Sequence, residues 1–237
     1  MSWPCGTGRL HLIVSCTQGK SAPPGETVFP CHLAAPDAAL DTWTQQVRQV
    51  TARCPTGELY RGLHWQRAQA VARRHDRVEL WAVSAGLGLR HATDPAVPYD
   101  ATFHRLAYPP ATHWHGLTTR PPLPGCCASL AALMQACPQD VFVLALSPVY
   151  LRAIEADLCT GMASLAGPAR QLRIVTSQGY RGPLLPWITF SHAGLLAPLH
   201  TNFTALNVSL AAHLVDGLAG SREDPYPAPA FWKETPP

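Results

Sequence analysis

The amino-acid sequence predicts an α/β fold, a mostly parallel or mixed sheet of at least four strands with helices on both faces. Three observations predict it. Four short, apolar, β-branched runs occur at 10–15, 78–83, 141–146 and 172–176, each suited to a strand buried on both faces. Between them lie stretches with apolar residues at helical spacing, and that alternation is the pattern of a parallel sheet covered on both sides. Each run ends in a small polar turn containing Ser or Gly. Ligands of open α/β sheets bind outside the carboxyl ends of the strands, so these turns are expected to meet at one crevice.

In chain order, Leu10-His-Leu-Ile-Val-Ser15 is the first strand and runs into Cys16-Thr-Gln-Gly-Lys20. Asp37 or Asp41 can cap a helix to about Arg53, with Leu40, Trp43, Val47 and Val50 on one face. A second helix is expected from about Thr56 to Arg74, with Leu59, Leu63, Ala70 and Val71 inward. The second strand, Val78–Val83, ends in Ser84-Ala-Gly-Leu-Gly-Leu89, where Gly86 and Gly88 free the backbone for a tight bend or a close approach to a ligand. Residues 90–125 read as an irregular stretch too long for a mere connector, the kind of segment that forms lids and site walls. A short helix over Ser129–Ala136 leads to the third strand, Val141–Leu146, which ends in Ser147-Pro-Val-Tyr150 and a helix to about Leu158. The fourth strand, Leu172–Thr176, ends in Ser177-Gln-Gly-Tyr180. Asn202–Leu218 is helical in pattern, with Phe203, Leu206, Leu210 and Leu214 inward.

The chain has 237 residues, of which 47% are hydrophobic and 14% charged. That size suits one domain, expected over residues 1–222, and the charged fraction lies below the ~25% usual for soluble domains. Proline, at 24 residues, clusters at 21–36, 95–124 and 225–237, which marks loops and a C-terminal tail over 223–237 that Phe231 and Trp232 can pin. No apolar stretch approaches the ~20 residues that span a bilayer. The N-terminal sequence shows no basic segment followed by an apolar one, so a cytoplasmic protein is expected. The formal charge is +3 and the 18 Lys and Arg are spread thinly, whereas backbone-binding proteins concentrate them in a stripe.

The eight cysteines form no C-x-x-C pair and no disulfide-like framework, so buried thiols are expected. His113 and His115 with Cys126 and Cys127 match no common zinc spacing, and neither metal nor other cofactor is expected. Asn202-Phe-Thr204 and Asn207-Val-Ser209 fit the glycosylation pattern but fall in a helix candidate of a cytoplasmic chain.

Three stretches, taken together, carry a resemblance. Cys16-x-x-x-Lys20 follows the first strand; Leu59-Tyr-Arg-Gly62 opens a helix continuing Trp65-x-Arg67-Ala68; and Ser84-Ala-Gly-Leu-Gly-Leu89 precedes Pro98-Tyr99-Asp100. In this order the chain resembles the YaaA-like superfamily over residues 10–103, under half its length. The pair between Ser-Ala and Gly-Leu, commonly Lys-Tyr or Leu-Tyr there, is Gly86-Leu87 here, so whatever ligand stacking that aromatic provides in relatives this chain must do without. The resemblance implies DNA or a purine-like base or nucleoside as partner. YaaA itself looks like a DNA-binding protein of peroxide stress. The DpdC-like branch belongs to 7-deazaguanine DNA modification, a chemistry of phage defence, where hydration of a 7-cyano group to an amide is the step inferred. Other DNA-modification proteins are then expected partners.

Cys16 at a strand end near Lys20 is a candidate nucleophile, or else a buried thiol packing as a small hydrophobe. Lys20 is a phosphate or carboxylate ligand or a proton carrier, or a solvated loop residue. Tyr60 and Arg67 share a helical face and reach the crevice together, or serve packing and surface roles. Ser84, Gly86 and Gly88 form a backbone cradle for an anion or base edge, or only a tight turn. Tyr99 and Asp100 after Pro98 form a rigid corner that can read a guanine-like edge, or Asp100 caps a turn. His192 is a candidate acid or base. Ser147, Tyr150, Ser177 and Tyr180 complete the crevice as possible substrate contacts. The function expected from these readings is a nucleobase-directed enzyme of DNA modification, most concretely the nitrile hydration. The alternatives are a non-catalytic DNA-binding or stress-response protein using the same crevice, and a protein-binding accessory component.

Overall fold

The computed structural model describes residues 8–220. The tail expected at 223–237, with Phe231 and Trp232, lies outside the described residues, as does Cys5. The strands are β1 (Leu10–Ser15), β2 (Cys54–Pro55), β3 (Val78–Ser84), β4 (Gly88–His91), β5 (Pro95–Ala96), β6 (Val141–Ala145), β7 (Leu172–Ser177) and β8 (Ile188–Ser191). The α-helices are α1 (Pro36–Gln49), α2 (Thr56–Leu59), α3 (Leu63–Arg74), α4 (Pro110–Thr119), α5 (Leu130–Ala136), α6 (Pro148–Met162), α7 (Pro168–Gln171) and α8 (Leu206–Gly220).

Six strands form one sheet in the order β4-β3-β1-β6-β7-β8, while β2 and β5 pair separately. β1 is parallel to β3 and β6, β7 is parallel to β6 and β8, and β4 is antiparallel to β3. The fold is therefore α/β with a mixed, mostly parallel sheet, as the alternating pattern predicts. Successive side chains of β1 point to opposite faces: Leu10, Leu12 and Val14 join a core with α1, α3 and α8, and Ile13 joins one with α5 and α6. Helices thus cover both faces. Counted in chain order, the five parallel strands are arranged 2-1-3-4-5, a doubly wound order that reverses between β1 and β6. Loops leaving the carboxyl ends of neighbouring strands part there and open a crevice. No helix among the described residues is long and apolar enough to cross a membrane.

Several element expectations change. The helix expected over 56–74 is broken at Tyr60-Arg61-Gly62. The break resets its phase, so α3 buries His64, Trp65, Ala68 and Val71, leaving Leu63 and Ala70 exposed. α1 starts at Pro36 without a side-chain cap from Asp37 or Asp41. The stretch expected to be irregular holds β4 and α4, and β8 was not anticipated. Phe203 precedes α8 and is 72% exposed rather than inward. Cys16, Cys31, Cys54, Cys126, Cys127 and Cys159 are free thiols, whereas Cys137 is disulfide-bonded, contrary to expectation.

Candidate active site at the carboxyl edge of the sheet

Cys16 is the first residue past β1. Its amide donates to Val83 O at 2.9 Å, which extends the β1–β3 pairing by one bond and fixes the residue at the sheet edge. The loop beyond it lies on the break between α2 and α3. Lys20 and Tyr60 form an isolated antiparallel bridge, and the amides of Ser21 and Arg61 donate to Leu59 O and Gly19 O. Gly62 permits this contact, since a Cβ there would stand 2.9 Å from the Thr17 side chain. The Leu59–Gly62 segment is thus a shelf for the Cys16–Lys20 loop, which accounts for both stretches being short and close-fitting.

From β6, on the other side of the order reversal, comes Tyr150 in the first turn of α6. Ser147 caps that helix through the Tyr150 amide at 3.5 Å. The Tyr150 hydroxyl lies 3.3 Å from Cys16 Sγ. Burial holds the phenol pKa well above the ordinary tyrosine range, so it keeps its proton and can donate to a thiolate sulfur. Lys20 Nζ donates to Thr17 O at 3.2 Å and Gln18 O at 3.3 Å and stands 4.2 Å over the centre of the Tyr99 ring. Desolvation lowers its pKa, against the opposing pull of Cys16 and Asp100.

Asp100 is placed by a bridge to Val28, and one guanidinium nitrogen of Arg105 donates to both its carboxylate oxygens at 3.0 Å. Cys16, Lys20, Asp100, His104, Arg105 and Tyr150 line one open pocket of about 450 Å³. Beneath it lies a buried hydroxyl chain: Tyr60 to Tyr99 at 2.9 Å and Tyr99 to Ser84 at 2.6 Å. Burial raises the pKa of both phenols, so the floor is uncharged.

Other candidates lie elsewhere. The amides of Gly86 and Leu87 both donate to Ser84 Oγ, and Gly86 O accepts from Trp43 Nε1 at 2.6 Å. Gly88, at φ +77, makes the β3–β4 turn. The expected backbone cradle is therefore a tight turn closed on its own serine. Arg67 donates to Ser209 Oγ and His200 O, tying α3 to α8 instead of reaching the pocket with Tyr60. Tyr180 is buried and bonded to Glu155. His192, Ser147 and Ser177 line a second pocket of about 310 Å³, so His192 is not brought to Cys16. Tyr150 as the sulfur's partner was missed; its place just after a strand-end Ser-Pro was the available signal.

Metal chemistry has no ready donor set among the described residues. His113 uses both ring nitrogens, on Tyr108 and Ala85 O. His11, Cys137 and Asp140 cluster at the opposite end of the sheet. There His11 is bonded to Asp140 and Trp81, and the Cys137 sulfur is already in a disulfide. No family model matches the chain, and no curated protein or solved structure matches it significantly.

Proposed function

We propose that the protein is a nucleobase-directed enzyme of DNA modification that hydrates the 7-cyano group of a 7-deazaguanine base to an amide, with Cys16 as nucleophile. The observation that carries the reading is the Cys16–Tyr150 pair, 3.3 Å apart at the order reversal of the sheet and in one pocket with Lys20 and Asp100. The motifs shared with the YaaA-like superfamily support it, since Cys16, Lys20, Tyr99 and Asp100 all fall in or beside this pocket.

In this reading the sulfur adds to the nitrile carbon while the nitrogen takes a proton, giving a thioimidate. Tyr150 holds the thiolate by donating to it, and Lys20 supplies the proton, a transfer made easier by its lowered pKa. Water then attacks the same carbon, and the C–S bond breaks. The sulfur recovers its proton, and the amide leaves with the atoms of one water added. Asp100, in the pocket lining, faces the base edge, while the buried ring of Tyr99 lies below it and carries Lys20. Inside duplex DNA the base must first be flipped out, which costs a few kcal/mol.

A non-catalytic backbone binder has less support. The 18 Lys and Arg are spread thinly along the chain, whereas proteins that bind the phosphate backbone concentrate theirs in a stripe. The test is incubation with DNA carrying 7-cyano-7-deazaguanine, followed by mass spectrometry of the released nucleosides. The amide is expected; unchanged nitrile overturns the assignment.

A further inference from the structure

The crevice is divided. Ser15 lines one pocket and Cys16 the other, with Cα atoms about 3.8 Å apart in the chain. Ser147 and Tyr150, on one turn of α6, separate them on the facing side. The two pockets differ in chemistry. The Cys16 pocket carries Lys20, Asp100 and Arg105, whereas the second has no Lys, Arg, Asp or Glu in its lining.

The second pocket is ringed by hydroxyls from the ends of four adjacent parallel strands: Ser15 of β1, Ser147 after β6, Ser177 of β7 and Ser191 of β8. Ser191 gives its proton to Asn207 Oδ1 at 2.6 Å, and Asn207 Nδ2 is held by Leu146 O. Ser191 therefore offers lone pairs to a ligand. Buried His64 adds a ring that burial keeps neutral, its pKa pushed down to about 4. At the mouth, Phe203 is 72% exposed.

The N-terminus of α6 does not make this an anion site. Pro148 has no N–H, and the amides of Tyr150 and Leu151 are bonded to Ser147 Oγ and O. Hydroxyl and amide groups around a cavity beside an aromatic ring suit an uncharged furanose, whose oxygens accept hydrogen bonds while its C–H face packs on the ring. We infer that the pocket ringed by Ser15, Ser147, Ser177 and Ser191 is a subsite for the sugar of a nucleoside whose base occupies the Cys16 pocket. The inference rests on the base-directed reading for the base and on this pocket alone for the sugar.

Calorimetry with 7-cyano-7-deazaguanine, its nucleoside and the nucleoside 5′-phosphate tests the joined ligand. The nucleoside is expected to bind at least about tenfold tighter than the free base. Ser177→Val and Phe203→Ala, both at exposed positions, should remove that advantage and leave the affinity for the free base unchanged. Equal binding of base and nucleoside, or an advantage that survives both substitutions, overturns the subsite. A further large gain from the 5′-phosphate also overturns it, in favour of an anion site. Methyl 2-deoxyriboside alone, followed by the imidazole NMR signals of His64 and His192, separates the two readings. Shifts in those signals without binding of the free base refute only the base-directed function; absence of shifts refutes the sugar subsite.

Discussion

Lys20 Nζ stands 4.2 Å over the ring of Tyr99, whose hydroxyl is in turn bonded to Tyr60 and Ser84. The ammonium is thus seated on an aromatic face above a neutral hydroxyl chain and beside the Cys16 sulfur. Burial disfavours its charge more than Cys16 and Asp100 restore it, and its pKa falls below the ordinary lysine value of 10.5.

If Lys20 delivers a proton to the substrate, the rate must fall as pH rises through that lowered pKa. The alkaline limb of the pH–rate profile is expected below 10.5. Lys20→Arg should move it upward, because guanidinium does not deprotonate in that range. Lys20→Met should lower the rate by about 10²–10⁴-fold on the acid side of that limb and abolish the limb itself. A limb unmoved by Lys20→Arg would assign the titration to another group.

The Ser84–Leu87 turn supports the pocket floor through packing. A Cβ at Gly86 would stand 2.7 Å from the Tyr99 ring and 3.2 Å from Trp43. Gly86→Ala is therefore expected to destabilise the fold by roughly 1–3 kcal/mol through overpacking. Displacing Tyr99 should also weaken binding of the base. Thermal or urea denaturation reads the first effect and calorimetry the second; unchanged stability would mean that the turn relaxes freely.

Three buried histidines make the fold acid-sensitive. Burial is the main cause that lowers the pKa values of His64, His91 and His113 to about 4. Each is neutral when folded but takes a proton near pH 6.5 when unfolded. The unfolded state therefore binds more protons between those values, and stability present above pH 6.5 is lost as pH falls toward 4, by up to about 3 kcal/mol per histidine. Melting temperature against pH should drop steeply over that window. His113→Gln should be less stable near neutrality, having lost a group bonded to Ala85 O and Tyr108, yet show a shallower drop. An equally steep drop would exclude His113 from the effect.

Affinity for ordinary duplex DNA separates a base-directed enzyme from a backbone binder. Binding to unmodified duplex is expected to be weak and strongly salt-dependent, at ~10⁻⁴–10⁻⁶ M. Filter binding or fluorescence anisotropy across a salt series measures it. Nanomolar binding at physiological salt would favour the DNA-binding alternative.

The central strands were legible because they are buried on both faces and read as unbroken apolar runs. β4 was not, since Gly88-Leu-Arg-His91 carries an arginine; Arg90 is buried there by donating to Leu123 O and Pro124 O, contacts that no local pattern reveals. α4 hides behind two prolines and a Gly116 that fits against Leu40. The helix break at 60–62 follows from a tertiary contact, the Cys16–Lys20 loop lying on Gly62, so periodicity alone ran through it. At the site, Cys16, Lys20 and Asp100 were legible as a group through their strand-end positions and motif order. Which strand-end residues face which pocket was not. Twist and the α6 N-terminus divide one edge into two chambers, sending Tyr150 to Cys16 and Ser147, Ser177 and His192 away from it.

Covalent catalysis in this pocket stands or falls with the Cys16 sulfur. Turnover of 7-cyano-7-deazaguanine DNA by Cys16→Ala, measured beside wild type with melting temperature and base affinity recorded for both, tests it. Loss of a half-buried sulfur at a strand end leaves only a small cavity, so fold and binding should stay near wild type while amide formation ceases. Near-native turnover by Cys16→Ala would contradict covalent catalysis by this residue and leave activated water, with Asp100 as base, as the route.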